Sequence, residues 1–177
     1  MKLTFIGAAH EVTGSCTLIS VGGTLDSVIE VLDYLLPGGD LCYVVGPDGK
    51  TQHTYKSDAS CVDSSIKMAV LINGNTASAA ELFTAALRDY NRASIVGVTS
   101  YGKGSMQTTY QLPNGTGLKL STNTYNPPCN VNYNGVGITP HKEVELDEAL
   151  KGKSLYKITD EEDNQLLEAC RILGYNN

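Results

Sequence analysis

Met68-Ala69-Val70-Leu71-Ile72-Asn73-Gly74-Asn75-Thr76-Ala77-Ser78-Ala79-Ala80-Glu81 is the stretch on which the fold turns. Its first five residues are apolar without interruption, the pattern of a strand covered on both faces. Asn73 to Thr76 is a tight turn. Ala77 to Tyr90 is Ala-rich, with Leu82, Phe83, Ala86 and Leu87 on one face, and predicts a helix. Ser94 to Val98 is a second buried strand. Strand, helix and strand in this order make a β-α-β unit with a parallel pair. In such a unit the start of the helix and the end of the second strand lie at the same edge of the sheet.

Outward from this unit the chain continues to alternate. Upstream, apolar positions 25, 28, 29, 32, 35 and 36 follow the helical face rule, and Pro37-Gly38-Gly39 ends the pattern. Leu41 to Val45 and Thr51 to Tyr55 read as strands joined by the Pro47-Asp48-Gly49 turn, and 56–65 reads as a loop. Downstream, Met106 to Leu112 and Gly117 to Tyr125 predict a hairpin around Pro113-Asn114-Gly115-Thr116, and 126–137 is irregular. Residues 160–173 predict an acid-started amphipathic helix capped by Thr159. At the other end, residues 3–6 and 16–21 predict two short strands.

The 177 residues correspond to about one domain. A chain of this length buries roughly 70% of its unfolded surface, so a core forms without staples. With 41% hydrophobic and 18% charged residues the chain is neither disordered nor fibrous. No apolar run approaches the ~18 residues of a membrane span, and the first residues do not read as a signal peptide. Thirteen basic against nineteen acidic residues give a net charge of −6, which argues against a nucleic-acid binder. Trp is absent while Tyr appears ten times, so aromatic core mass is mostly tyrosine, whose hydroxyls need partners when buried. The five cysteines (16, 42, 61, 129, 170) are scattered and read as small buried hydrophobes rather than a disulfide or zinc framework; His10, His53 and His141 are equally isolated. No metal site is expected.

The chemistry centres on the helix start. A hydroxyl at Ser78 sits beside free backbone N–H groups and the positive end of the helix dipole, where an oxyanion can be held while a serine attacks a carbonyl. Ser78-x-x-Glu81 is equally a capping box, and capping boxes far outnumber nucleophiles. A nucleophilic serine needs a base, and Lys103, flanked by Gly102 and Gly104 after the second strand, lies at the same sheet edge. Gln107 is an uncharged partner able to orient its amine. A competing motif overlaps this lysine: Gly97 to Lys103 has the G-x-x-x-x-G-K spacing of a phosphate loop, but Gly104 stands where Ser or Thr is needed, and strand rather than helix follows.

Leu71 to Glu81, Tyr101-Gly102-Lys103-Gly104-Ser105-Met106-Gln107, Gln111 to Gly115, Leu118 to Thr122, Gly135-Val136-Gly137-Ile138-Thr139-Pro140 and Asp160 to Leu166 together resemble the C-terminal processing peptidases, the tail-specific serine proteases with a Ser–Lys dyad. Lys103 follows Ser78 by 25 residues and Gln107 follows Lys103 by four, both at the family spacing. The resemblance covers about residues 22–177. It implies an α/β fold with a mixed sheet and flanking helices, the C-terminal processing peptidase core (ClpP/crotonase-like), truncated at the N-terminus. Ser78 would be the nucleophile, Lys103 the general base and Gln107 the residue that orients the lysine. The Ala79 N–H would donate to the oxyanion, with a second donor from Gly22-Gly23, Gly23 being favoured.

Met1 to Cys16 resembles instead the opening hairpin of metallo-β-lactamase-fold RNA-processing nucleases, without their metal motif. The chain thus reads as a hairpin segment (1–21), a serine peptidase core without a PDZ domain (22–146), and a C-terminal extension with a helix (147–177). Thr17 to Val21 is placed to replace a missing core strand. The resemblance implies cleavage of protein or peptide substrates near their C-termini without a cofactor, and an extracytoplasmic or cell-envelope location. It involves no nucleic acid and no membrane segment, and is compatible with a homo-oligomer. The alternative is a catalytically impaired protease-core remnant acting as a peptide-binding or interaction module.

Overall fold

A computed structural model describes residues 3–7, 15–19, 24–58, 60–153 and 157–175. Twelve elements follow one another along these residues. They are β1 (Leu3–Gly7), β2 (Ser15–Ile19), α1 (Leu25–Leu35), β3 (Gly39–Val45), β4 (Thr51–Ser57), β5 (Ala69–Ile72), α2 (Ala79–Asp89), β6 (Ser94–Gly97), β7 (Ser105–Gln111), β8 (Gly117–Asn126), β9 (Lys142–Glu143) and α3 (Asn164–Ile172). They form a five-stranded sheet, β2-β1-β5-β6-β9, and a four-stranded sheet, β4-β3-β8-β7.

The expected parallel pair is present: β5 lies against β6 with Ala69 opposite Ser94 and Ile72 opposite Gly97. The uninterrupted apolar run of β5 has the predicted cause. Val70, Ile72 and Ile95 pack into the main core with α1 and α2, through Val28, Leu32, Leu82, Phe83 and Leu87. The alternate residues Ala69, Leu71 and Val96 face the opposite way and pack on Ala169 and Leu173 of the α3 region. Successive strand side chains point to opposite faces, so a strand sandwiched between helices has no polar positions to spare. The close pairing needs Gly97, whose φ is +127° and whose missing Cβ would strike the Ile72 carbonyl oxygen.

Helix α1 starts at Thr24, whose Oγ1 accepts the Ser27 N–H at 3.3 Å, and ends where Leu36 turns extended ahead of Pro37. All three predicted strand pairs form antiparallel, β1 with β2, β3 with β4 and β7 with β8. The outer part of the β7–β8 ribbon is two-sided. Tyr110, Leu118 and Leu120 share one face and are each close to half exposed. Thr109, Gln111 and Lys119 take the other.

Several expectations are corrected. β1 lies beside β5, antiparallel with Leu3 opposite Val70, and β2, which holds Thr17 to Ile19 of the segment expected to replace a core strand, is one strand further out; residues 20 and 21 lie outside the described residues. The last helix begins at Asn164, not near 160. The Asp163 carboxylate accepts from the N–H groups of Gln165 and Leu166, while Glu162 and Asp163 turn back onto the Thr159 carbonyl in a separate loop. Strand β9, parallel to β6, was not expected. The cysteines are not uniformly core residues: Cys42 is buried, Cys61 and Cys170 are half-buried and Cys129 is exposed. The phosphate-loop reading of Gly97 to Lys103 fails, because β7 and not a helix starts at Ser105. No helix among the described residues is long and apolar enough to cross a membrane.

Candidate active site

The turn after β5 is closed by the Thr76 N–H on the Asn73 carbonyl (2.8 Å) and by the Asn73 N–H on Thr76 Oγ1 (3.0 Å). It delivers the chain to Ser78 in a conformation that L-residues avoid, φ 61° and ψ −123°. Such a backbone costs about 1–3 kcal/mol and persists only where its surroundings hold it. Those surroundings are built on Glu81.

Glu81 is fully buried one turn into α2. Its Oε2 accepts the Ser78 N–H at 2.8 Å and the Lys103 N–H at 2.7 Å. Its Oε1 accepts the Ser100 hydroxyl and the Gly102 N–H, both at 2.5 Å. Four donors thus fill the lone-pair positions that a carboxylate offers. One side chain ties the helix start to the 100–103 loop. That loop is locked from its other side by the Ile138 N–H, which donates to Ser100 Oγ at 2.7 Å, and by the Gly135 N–H on the Gly102 carbonyl at 2.8 Å. Gly102 and Gly137 both have φ in the left-handed region, and a Cβ on either would meet the backbone of the other loop.

The Ser78 hydroxyl lies 2.8 Å from the Tyr125 hydroxyl, which itself donates to the Lys103 carbonyl at 2.8 Å. A phenol has one proton and a carbonyl only accepts. With both bonds made, the proton order is fixed: Ser78 donates to Tyr125, and Tyr125 donates to Lys103 O. Tyr125 and Tyr133 are buried and meet edge to face, 6.2 Å between centroids. Burial pushes both phenols up, so Tyr125 keeps its proton at neutral pH. The Ala79 N–H, behind the hydroxyl at the first position of α2, has no acceptor among the described residues. It is one of the donors that a helix start leaves over.

The residues singled out from sequence therefore fall into three groups. Ser78, Ala79 and the Lys103 backbone converge. Among the described residues the Lys103 amine makes no hydrogen bond, and Gln107 is exposed on β7 just past a bulge, opposite Ser121. Gly22 and Gly23 lie outside the described residues. Sequence reading missed Tyr125 and Ser100. The one signal for Tyr125 was the need of buried tyrosine hydroxyls for partners, which does not say which tyrosine.

Ser78 thus sits on a strained strand-to-helix turn, with the Ala79 N–H, unpartnered among the described residues, at the same helix start and the Lys103 loop tied to the same carboxylate. Residues 20–144 match the family model described as peptidase family S41. The carboxy-terminal-processing protease of Bartonella bacilliformis is 40% identical over 139 residues, which is 76% of this chain and 31% of that protein. The chloroplastic C-terminal processing peptidase of Tetradesmus obliquus is 31% identical over 153 residues, 86% of this chain and 30% of that protein. Among solved structures, a photosystem II D1 C-terminal processing protease superposes with a TM-score of 0.67 at 30% identity, over 81% of this chain and 38% of the other. The chain belongs to peptidase family S41. It spans about a third of the length of these curated relatives.

Proposed function

We propose that this chain carries the catalytic centre of a serine-type endopeptidase that cuts protein or peptide substrates near their C-termini. Ser78 is the nucleophile and Lys103 the general base. The lysine amine takes the Ser78 proton, Oγ attacks the scissile carbonyl, and the acyl-enzyme is released by water. The Ala79 N–H receives the oxyanion, with Gly23 as the second donor. Gln107 orients the lysine. The reading needs no cofactor, and the relatives favour work outside the cytoplasm or in a cell envelope.

The observation that carries the reading is the double attachment of Ser78 and Lys103. Both backbone N–H groups bind Glu81 Oε2, and the Tyr125 hydroxyl links Ser78 Oγ to the Lys103 carbonyl. A capping box alone explains the first contact and none of the others. The test is covalent labelling with a fluorophosphonate probe. The folded protein is expected to label at Ser78, and Ser78→Ala and Lys103→Ala to abolish labelling. Labelling that survives Ser78→Ala, or a folded protein that does not label, overturns it.

A further inference from the structure

We propose that Tyr125 is a further catalytic residue, whose hydroxyl reverses its hydrogen bond to Ser78 as the serine becomes a nucleophile. The proposal rests on the Ser78–Lys103 reading above. In the structure Ser78 donates to Tyr125 and Tyr125 donates to the Lys103 carbonyl, each at 2.8 Å. The single phenolic proton therefore has two acceptors within reach, Lys103 O and Ser78 Oγ, and only rotation about its C–O bond separates them.

When Ser78 attacks, its O–H bond breaks and an N–H bond forms on the Lys103 amine. The electron pair left on Oγ forms the bond to the substrate carbon, and the carbonyl π pair moves onto the oxygen facing the Ala79 N–H. Once Oγ has lost its proton it can no longer donate to Tyr125. While its bond to the substrate carbon is still forming, Oγ is the more negative of the two acceptors, and the phenolic proton turns to it from the Lys103 carbonyl; once that bond is complete the charge has passed to the oxygen at the Ala79 N–H. Tyr125 keeps this proton throughout, so no further acid, base or oxidant is needed. A hydrogen bond to a charged oxygen is about twice as strong as one between neutral groups. The contact is thus worth more in the transition state than in the ground state, the condition for raising a rate rather than tightening binding. Burial among Tyr133 and the core favours the neutral phenol, which is the form that donates.

The Ser78 hydroxyl has this one side-chain partner among the described residues. The alternative role, a restraint that withholds the serine from its base, predicts the opposite sign. Tyr125→Phe keeps the ring and removes the switch. We expect its first-order rate of Ser78 labelling by a fluorophosphonate to fall about tenfold, with the half-saturating probe concentration unchanged. An equal or faster rate in the presence of a labelling wild type overturns the role of Tyr125 and leaves the Ser–Lys reading standing. A folded wild type that does not label overturns both.

Should Tyr125→Phe fail to fold, site-specific replacement of Tyr125 by 3-fluorotyrosine keeps the hydroxyl and supplies a 19F signal. The labelling rate should then fall as pH rises through the 19F titration midpoint, because the phenolate has no proton to give. Adding Ser78→Ala should move that midpoint upward, through loss of the donor to the phenolate. A labelling rate that keeps rising through the phenol titration, or a midpoint indifferent to Ser78→Ala, overturns the proposal.

Discussion

Glu81→Gln is the substitution that tests the site's architecture most sharply. It preserves shape and volume and changes one acceptor oxygen into an amide donor. If the amide takes the Oε2 position, it faces the N–H groups of Ser78 and Lys103, which can only donate. If it takes the Oε1 position, it faces the Gly102 N–H, again only a donor, and the Ser100 hydroxyl, which already accepts from the Ile138 N–H. The second flip is the milder. It strands one buried N–H, sets two donors face to face and turns the two remaining charge-assisted bonds into neutral ones. A lost bond to a charged group is worth about 1.5–3 kcal/mol and an orphaned buried donor about 1–3 kcal/mol. The expected destabilisation is therefore about 3–5 kcal/mol.

For a chain of this size each kcal/mol lowers Tm by roughly 2–4 °C. Thermal unfolding followed by circular dichroism should accordingly show a fall of about 6–20 °C. Fluorophosphonate labelling of Ser78 should be lost at temperatures where the variant is still folded, because the 100–103 loop is no longer fixed to the helix start. A Tm within about 2 °C of the wild type would refute the idea that this carboxylate organises four donors. An intact labelling rate would refute the idea that their organisation matters to the serine.

Other consequences are smaller in scope. Gly97→Ala should lower Tm by more than about 10 °C or leave the protein insoluble, since its Cβ meets the Ile72 backbone at a φ that an L-residue rarely adopts; a soluble variant with unchanged Tm would contradict the close β5–β6 pairing. Ser78→Gly and Ser78→Ala both remove the hydroxyl, but only glycine relaxes the φ of 61°, so Ser78→Gly should be the more stable of the two by about 1 kcal/mol in urea unfolding. Of the four described thiols, exposed Cys129 should alkylate first with iodoacetamide and Cys42 last. Burial pushes the Cys42 thiol up to about 12, so it stays protonated below strongly alkaline pH; early Cys42 modification by mass spectrometry would show that the core opens readily.

The parts of the fold that sequence reading recovered are those whose cause is local. An apolar run sandwiched between helices, an amphipathic face and a Pro-Asn-Gly turn each declare themselves within a few residues, and β5, α2, β6 and the β3–β4 and β7–β8 hairpins follow. β9 could not declare itself, because two residues, Lys142 and Glu143, have no period. The start of α3 was misplaced because Thr159 and Asp163 both offer a cap. Thr159 spends its carbonyl on a preceding turn, whereas the Asp163 side chain takes the two free helix N–H groups. The site was half legible for the same reason. Ser78 and Glu81 are three residues apart and share a motif. Tyr125 lies 47 residues from Ser78, and Ser100 lies 38 from Ile138. Nothing in their neighbourhoods says that these loops meet.

From sequence, the capping box at Ser78-x-x-Glu81 and a nucleophile at Ser78 stood as rival readings of the same four residues. In the structure the two readings are compatible: the capping contact is made, and the proposed nucleophile stands on it. An ordinary capping glutamate needs only one oxygen for the N-cap N–H and leaves the rest to water. Here the carboxylate is buried, and its second oxygen is taken by Ser100 and Gly102. The Oε2 atom that caps Ser78 also accepts the Lys103 N–H, so the serine and lysine backbones are fixed relative to a single atom. The strain at Ser78 then has a source of support inside its own helix, and the loop bearing the lysine follows any movement of that helix start. A capping contact that is common elsewhere as a local stop signal thereby sets the distance between the backbones of the proposed nucleophile and the proposed base.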